Sequence, residues 1–87
     1  MKEEKIGFVS NYFGKISVAA IEITDGTLSV GDKILFLGHT TEFEATVHSM
    51  QIEHQPVTAA QKGDSVGVKV SEKAREGDKV YKLVADD

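Results

Sequence analysis

The sequence predicts an all-β protein, a small barrel of about six short strands. Apolar and polar residues alternate over short segments, and no segment repeats its apolar residues with the period of an amphipathic helix. Glycine-rich turn signals separate these segments. One turn signal recurs just before three apolar segments, at Gly31-Asp32, Gly63-Asp64 and Gly77-Asp78. Glycine accepts a positive φ there, and aspartate can bond the local backbone.

Length and composition limit the function. A chain of 87 residues is expected to form a single domain over residues 1–87. Its ten basic residues are scattered among fourteen acids, which argues against strong non-specific binding of nucleic acid, because phosphate contacts need clustered cations. The lack of cysteine excludes disulfides, a thiol nucleophile and a thiolate metal site. With no signal peptide and no long apolar run, we expect a cytoplasmic protein without membrane contact.

The first half of the chain predicts three strands. Residues 5–9 alternate weakly and form the first strand, and residues 10–15 offer a turn with two aromatic residues beside it. Residues 16–23 are rich in β-branched side chains, and their apolar phase changes, as in a coiled strand that serves two parts of a barrel. Asp25-Gly26 is a strong turn signal. The continuous apolar run 33–37 fits a strand buried on both faces or one near a barrel seam.

Residues 46–70 predict a strand, a crossing loop and a second strand, which we interpret as the central pair of the barrel. The apolar phase slips between Val47 and Met50, where a bulge would redirect the side chains. Pro56 lacks an N–H donor and should lie at or beyond the end of the first strand. The second strand is predicted from the alternation of its apolar residues, Val66, Val68 and Val70.

The last part of the chain predicts one more strand. Residues 71–76 are polar and fit either a single helical turn or a charged loop. Residues 79–84 then form the final strand, and residues 85–87 are expected to fray.

Several of these motifs resemble domain II of the translational GTPases. Residues 26–32, G-T-L-S-V-G-D, resemble the turn G-x-[LV]-x-V-G-[DE] of that domain, and residues 47–70 are similar to its run V-x-S-[MIV] followed by V-x-x-A-x-x-G-D-x-V-G. Residues 6–9 with Gly14-Lys15 match its entry strand and glycine corner, where elongation factors often carry arginine in place of Lys15. The resemblance implies a six-stranded Greek-key translation-protein barrel, similar to elongation factor domain II.

The chain also resembles small translation elongation factor-like proteins and the carboxy-terminal barrel of collagenase-like peptidase-family proteins. The shared motifs are N-Y-F-x-K-I, G-H-T-T-x-F, S-M-Q-I-E and G-D-x-V-Y-K. The resemblance implies an interaction module, because domain II of the GTPases contacts ribosomal RNA, the acceptor end of tRNA or the G domain. The chain has no G-x-x-x-x-G-K-[ST] loop to hold phosphates, so GTP is not an expected cofactor.

Three functional hypotheses follow. The leading one is a non-enzymatic binding module that contacts RNA, as ribosomal RNA or tRNA, or a protein of the translation machinery. The alternative is an accessory subunit or partner-binding domain of a collagenase-like peptidase-family protein or an RNA-modifying enzyme. The third is an oligomeric structural protein that uses an open barrel edge. None of the three requires a cofactor.

The candidate partner contacts begin with Tyr12, Phe13 and Lys15, because aromatic rings beside a cation can stack on a base or bind a protein surface. For Phe13 we favour a structural role as a plug of the barrel end, whereas for Tyr12 a rim position and a contact role both stay open. A second group lies in the loop before residue 43 and comprises His39, Thr40 and Thr41.

Half of the basic residues lie in the last third of the chain, at Lys69, Lys73, Arg75, Lys79 and Lys82. They could gather into a modest RNA-facing patch, although we favour a solvated charged face, since acids are interleaved with them. RNA binding predicts an affinity that falls with salt and with changes at Lys69, Arg75 or Lys79. A protein partner predicts sensitivity at Tyr12 or His39 and little dependence on salt.

Neither a metal site nor an active site is indicated. The histidines, His39, His48 and His54, lack the cysteines and the convergent spacing that zinc sites need. The paired carboxylates Glu3-Glu4 and Asp86-Asp87 lie near the termini, where fixed catalytic geometry is not expected. No Ser-His-Asp set is identifiable by spacing. The sequence therefore predicts a protein that is not an enzyme and has no metal.

Overall fold

A computed structural model describes residues 2–85, in which the chain forms ten strands and no helix. The strands are β1 (Lys2–Phe13), β2 (Val18–Ile23), β3 (Thr27–Ser29), β4 (Lys33–Leu37), β5 (Glu42–Thr46), β6 (Met50–Ile52), β7 (Gln55–Val57), β8 (Ala59–Gln61), β9 (Ser65–Lys69) and β10 (Lys79–Val84). Eight strands form one antiparallel sheet in the order β5-β4-β10-β1-β2-β9-β6-β7, and β3 pairs with β8 in a second sheet.

The all-β prediction is confirmed over this range. Residues 71–76 form a loop, so the helical alternative for that segment is wrong. Nothing in residues 2–85 could cross a membrane as a helix. Asp86 and Asp87, in the segment expected to fray, lie outside the described residues.

The strand β1 lies in the interior of the eight-stranded sheet, where it pairs with β10 on one side and β2 on the other. It continues to Phe13, whereas the sequence predicted a strand that ends at Val9. The register shifts twice, between Lys5 and Gly7 on the β10 side and between Val9 and Asn11 on the β2 side. Such irregularities bend a strand and change which side chains face inward. They therefore let one long strand wrap the core.

A single apolar core fills the space inside the sheets. Its largest fully buried side chains are Phe36, Ile6, Ile21, Leu28, Ile34 and Met50. The Phe36 ring stacks on the Phe43 ring, with centroids 4.7 Å apart and planes inclined by 17°. The predicted alternation of Val66, Val68 and Val70 is confirmed, since all three are buried.

The eight-stranded sheet is not closed, so the six-stranded Greek-key barrel is not confirmed. β5 pairs with β4, whereas β6, only three residues further along the chain, pairs with β9 and β7. The predicted bulge between Val47 and Met50 is instead a break between two strands. Residues 47–49 link β5, at one end of the sheet, to β6, near the other end. The prediction that residues 46–70 hold the central strand pair is wrong, because β6 and β9 lie near one end of the strand order.

The three Gly-Asp pairs form the same turn. In each, the aspartate Oδ2 accepts a hydrogen bond from the backbone N–H three residues earlier, at 2.8 Å for Asp32, 2.9 Å for Asp64 and 2.8 Å for Asp78. The preceding glycine has a φ of 99°, 96° or 88° respectively, which other residues rarely adopt. The structural interpretation of these pairs as turns before strands is therefore confirmed.

The segment between β6 and β9 contains a β-hairpin, β6–β7, that was not predicted from the sequence. Ile52 pairs with Gln55, which leaves Glu53 and His54 as a two-residue loop. Their φ values are 51° and 64°, both positive as a type I′ turn requires. Pro56 follows in β7, beyond the end of β6 as predicted, and its missing N–H is tolerated because β7 is an end strand.

Replacing Glu53 and His54 with asparagine and glycine is expected to stabilise the protein by about 1–2 kcal/mol, because ordinary L-residues are strained in left-handed geometry. Both side chains are exposed, so the change removes no core packing. The free energy of urea unfolding measures the effect. Gln55→Gly is the matched control, since this exposed strand residue should lose about 0.5–1 kcal/mol. A double variant no more stable than the parent would contradict the strain argument.

Candidate partner-binding surfaces

The aromatic pair at the end of β1 is split between the two faces of the sheet. Tyr12 lies opposite Ala19 and packs against the core, whereas Phe13 lies opposite Val18 and is 46% exposed. The favoured role of Phe13 as a plug of the barrel end is therefore wrong. The register shift at Ser10 reverses the alternation along β1 and turns Phe13 outward.

Lys69 lies near this end of the β1–β2 hairpin because β9 pairs with β2. Phe13 faces Val18 and Val18 faces Lys69, so the three form one row across β1, β2 and β9. Ile16, in the turn between β1 and β2, is 60% exposed, and it lines a cleft of about 230 Å³ with Val18 and Lys69. We call this surface the hairpin patch, made of Phe13, Lys15, Ile16, Val18 and Lys69. Its two ammonium groups beside apolar side chains suit an anionic partner with flat rings.

A second cleft lies between the loop after β4 and the start of β10. His39 and Lys79 line it with Leu37 and Tyr81, around a volume of about 360 Å³. The predicted contacts His39 and Lys79 are thus brought together, and Thr40 is exposed beside them. Thr41 is only 6% exposed. It is therefore not available as a partner contact, and that expectation is wrong.

The floor of this cleft is fixed by the turn before β10. Asp78 is only 5% exposed, and its carboxylate accepts a hydrogen bond from the Arg75 N–H. A Cβ added at Gly38 would overlap that carboxylate, so a side chain at this position would displace it from the turn. The backbone of Asp78 in turn accepts a hydrogen bond from the Val9 N–H at 2.8 Å. Arg75 contributes its backbone to this arrangement, and its side chain is exposed.

Five apolar side chains on the outward faces of three neighbouring strands form what we call the outer apolar patch, Phe8, Leu35, Leu37, Tyr81 and Leu83. Tyr81 lies opposite Leu35, and Lys79 lies between Leu37 and Phe8. Phe8 is 38% exposed and the other four are half-buried. This surface was not predicted from the sequence. Its signal was the unbroken apolar run 34–37 in β4, which buries only one face completely and lies beside the end strand β5.

The basic residues of the last third do not form one patch. Lys69 lies in a row with Phe13, and Lys79 lies opposite Phe8. The five-residue step from Phe8 to Phe13 separates them by roughly 17 Å along the sheet. The Nζ of Lys82 donates to the Thr27 carbonyl oxygen at 2.9 Å and lies 3.9 Å from the Asp32 carboxylate. Lys69, Lys79 and Lys82 are therefore not gathered into one compact cluster.

The histidines occupy separate places. His48 lines a cleft next to Lys69, His39 lies beside Lys79, and His54 is in the β6–β7 turn. Across the described residues, no three His, Asp or Glu side chains are arranged to hold a metal ion.

The family model of elongation factor Tu domain 2 matches residues 17–80. The chain belongs to the elongation factor Tu domain 2 family. This match covers two of the motifs on which the predicted resemblance rests, residues 26–32 and 47–70.

The chain also resembles segments of longer proteins. It is 50% identical over 80 residues to an uncharacterized protease of Methanocaldococcus jannaschii, which covers 91% of the chain and 19% of that protein. It is 37% identical over 79 residues to a collagenase of Porphyromonas gingivalis, which covers 90% of the chain and 22% of the collagenase. The chain therefore spans about a fifth of the length of the curated relatives that it matches.

A solved structure shows the same fold. The C-terminal domain of a Geobacillus thermoleovorans protein assigned to the U32 peptidases superposes with a TM-score of 0.85 at 20% identity, over 93% of both chains. Both resemblances predicted from the sequence, to translation-factor domain II and to the barrel of collagenase-like peptidases, are thus confirmed.

Proposed function

We propose that this chain is a non-enzymatic binding module of the cytoplasm that docks on a protein of the collagenase-like peptidase family. One observation carries the proposal. The same domain accounts for about a fifth of proteins named protease and collagenase, so those proteins hold it next to a much larger remainder. Domains joined in one protein can pack against each other through a surface that resembles a transient protein–protein interface. The proposed module is a single domain of residues 1–87.

The outer apolar patch supplies that surface. Solvent-facing positions of a sheet normally carry polar side chains, whereas here Leu35, Leu37, Tyr81 and Leu83 occupy four of them on two paired strands. Burying apolar area against a partner contributes about 25 cal/mol per Å². The charged side chains of Lys79 and Glu42 flank Leu37 and would form the polar rim that such interfaces have.

The chain is expected to bind in trans to the M. jannaschii protease from which the matching 80 residues have been deleted. Tyr81→Ala should weaken this binding roughly thirtyfold, because a tyrosine at an interface centre contributes about 2 kcal/mol. Isothermal titration measures the dissociation constants. Phe13→Ala is the matched control, since it shortens an exposed aromatic residue on the hairpin patch and should leave the affinity unchanged.

Circular dichroism of each partner shows whether it is folded before the titration. Failure of the folded chain to bind, or equal binding by Tyr81→Ala, would contradict docking through the outer apolar patch. The chain alone should not cleave gelatin or casein. Cleavage that copurifies with the chain through several columns would contradict its non-enzymatic role.

The hairpin patch supports a second candidate function, contact with single-stranded RNA. The supporting observation is that the strand register brings Phe13 and Lys69 into one row, beside the turn that holds Lys15. An exposed ring can stack on a base while two ammonium groups contact phosphates. This is the part of the RNA hypothesis that the geometry favours, and it does not involve Arg75 or Lys79.

For two phosphate contacts, the logarithm of the affinity for oligouridine should fall against the logarithm of salt concentration with a slope of about −1.4. Lys69→Gln should reduce the slope to about −0.7. Fluorescence anisotropy over a salt series provides the measurement, with Lys79→Gln as the matched control that keeps the parental slope. An identical slope in both variants would show that RNA binding, if detected, does not use the hairpin patch.

A further inference from the structure

The end strand β5 has one edge without a strand partner within residues 2–85. It pairs with β4 alone, in a register that runs without a shift from Glu42 to Thr46. Two hydrogen bonds bracket this ladder. The Gly38 N–H donates to the Thr41 carbonyl at 2.8 Å, and the Val47 N–H donates to the Asp32 carbonyl at 2.9 Å.

These two bonds determine which backbone groups point away from β4. Antiparallel ladders alternate between hydrogen-bonded and non-hydrogen-bonded residue pairs. Since Thr41 and Val47 bond toward β4, Phe43 and Ala45 do so as well. Glu42, Glu44 and Thr46 therefore direct their N–H and C=O groups toward the free edge.

The free edge opens onto a cleft of about 450 Å³. Glu44, Ala45 and Thr46 form one wall, and Lys69, Val70 and Ser71, at the end of β9, form part of the opposite wall. This cleft lies where the sheet fails to close. The outward-pointing backbone groups thus face a concave space that has walls on both sides.

The two end strands of the sheet differ in how they are protected. Natural sheets protect exposed edges with charged side chains, with proline, with bulges or with covering loops. The end strand β7 carries Pro56 in the middle of its three residues. The end strand β5 has no proline and no register shift. β5 is protected only by the negative charges of Glu42 and Glu44, so its edge can accept a strand that carries the opposite charge.

The side chains along β5 specify what that strand would carry. Glu42 and Glu44 are exposed on the outward face, and opposite charges on directly facing residues stabilise a strand pair. Ala45 is half-buried on the inward face, and buried Val70 lines the far wall. A strand paired here would therefore place basic side chains outward and apolar side chains inward. A second copy of β5 would instead set glutamates against each other.

We propose that the free edge of β5 binds an extended peptide that alternates basic and apolar side chains, as one added strand in the cleft between β5 and the end of β9. The binding groups are the backbone N–H and C=O of Glu44 and Thr46, and the Glu42 and Glu44 carboxylates select the basic residues. The backbone groups of this site lie outside the outer apolar patch, and only Glu42 is shared with the polar rim proposed for it, so the site does not depend on docking on a peptidase-family protein.

The test uses a capped peptide of sequence Lys-Val-Lys-Val-Lys, titrated into the isotopically labelled chain. Saturation should slow hydrogen exchange of the Glu44 and Thr46 amides by about tenfold or more, because a hydrogen bond then protects them. Thr46→Pro should weaken binding by about tenfold, since it removes one donor that β4 does not use. Thr46→Ala keeps the N–H and should bind like the parent.

Chemical variants of the peptide test the same point without altering the protein. A peptide methylated on the backbone nitrogens that pair with β5 should lose binding, and a Glu-Val-Glu-Val-Glu peptide should not bind. If the methylated peptide bound as tightly as the unmethylated one, the interaction would be charge attraction alone, and the proposal would be overturned. Unchanged exchange at Glu44 and Thr46 on saturation would overturn it as well. Concentration-dependent protection of these amides without peptide would assign the edge to a second copy of the chain.

Discussion

Gly7→Ala is expected to destabilise the protein by about 3 kcal/mol or more, toward the upper end of what overpacking costs. A Cβ at this position would overlap the backbone carbonyl oxygen of Glu22 in the neighbouring strand β2. A flexible side chain could rotate away from such a contact, but a carbonyl held in the sheet cannot. The β1–β2 ladder must therefore open locally, near the register shift that follows Lys5.

Urea unfolding measures the change, and the melting temperature should fall by roughly 12–24 °C, at about 4–8 °C per kcal/mol for a domain of this size. Gly14→Ala is the matched control. A Cβ at Gly14 would have only the Tyr12 ring within 4 Å, at 3.7 Å, an ordinary van der Waals contact. Similar losses in the two variants would mean that the close approach of β1 to β2 does not explain the glycine.

Phe36→Ala is expected to destabilise the protein by about 3–5 kcal/mol, the usual cost of removing a large buried aromatic ring. Phe36 is fully buried in β4, and its ring stacks on Phe43 of the adjacent end strand β5. Truncation leaves a cavity and removes the main packing partner of Phe43. Since β5 has only one neighbouring strand, its amides should also lose protection from hydrogen exchange beyond the global change.

The control for this variant is Phe13→Ala, which removes the same atoms from a ring that is 46% exposed. It should cost less than about 1 kcal/mol, because surface substitutions seldom cost more. A loss as large as that of Phe36→Ala would contradict the outward placement of Phe13. In that case Phe13 would have the structural role first favoured from the sequence.

Turn chemistry made much of the fold predictable. Each Gly-Asp pair predicts a strand after it, because the glycine adopts a positive φ and the aspartate accepts a backbone hydrogen bond within the turn. All three pairs form the expected turns. The strand β4 was predicted from a run of apolar residues, and β9 was predicted from the alternation of apolar and polar residues. The family resemblance was predicted from the spacing of the turns. Local signals were sufficient at these places because a few neighbouring residues determine the backbone.

The errors occurred where the backbone departs from local preference. The turn at Glu53-His54 contains neither glycine nor asparagine, so tertiary pairing of β6 with β7 imposes a conformation that the residues do not favour. The extension of β1 to Phe13 depends on a register shift that only the β2 pairing reveals. The same shift decides which of Tyr12 and Phe13 faces solvent.

The candidate surfaces were predictable only as residue types. Phe13, Lys15 and Lys69 were selected for their chemistry, but their proximity depends on which strands are neighbours. Thr41 was selected for its place in a polar loop, and burial excludes it. The outer apolar patch was missed because its residues come from separate parts of the chain, and only the β4–β10–β1 order places them together.

The position of β10 between β1 and β4 also affects how the protein is made. During synthesis, the earliest strand and the fourth strand emerge long before the strand that separates them. Until residues 79–84 are available, both expose unpaired backbone and apolar side chains, which favours misassociation. The eight-stranded sheet can therefore form completely only after β10 has been synthesised. Nascent chains stalled before Lys79 should be targets of chaperones and proteases.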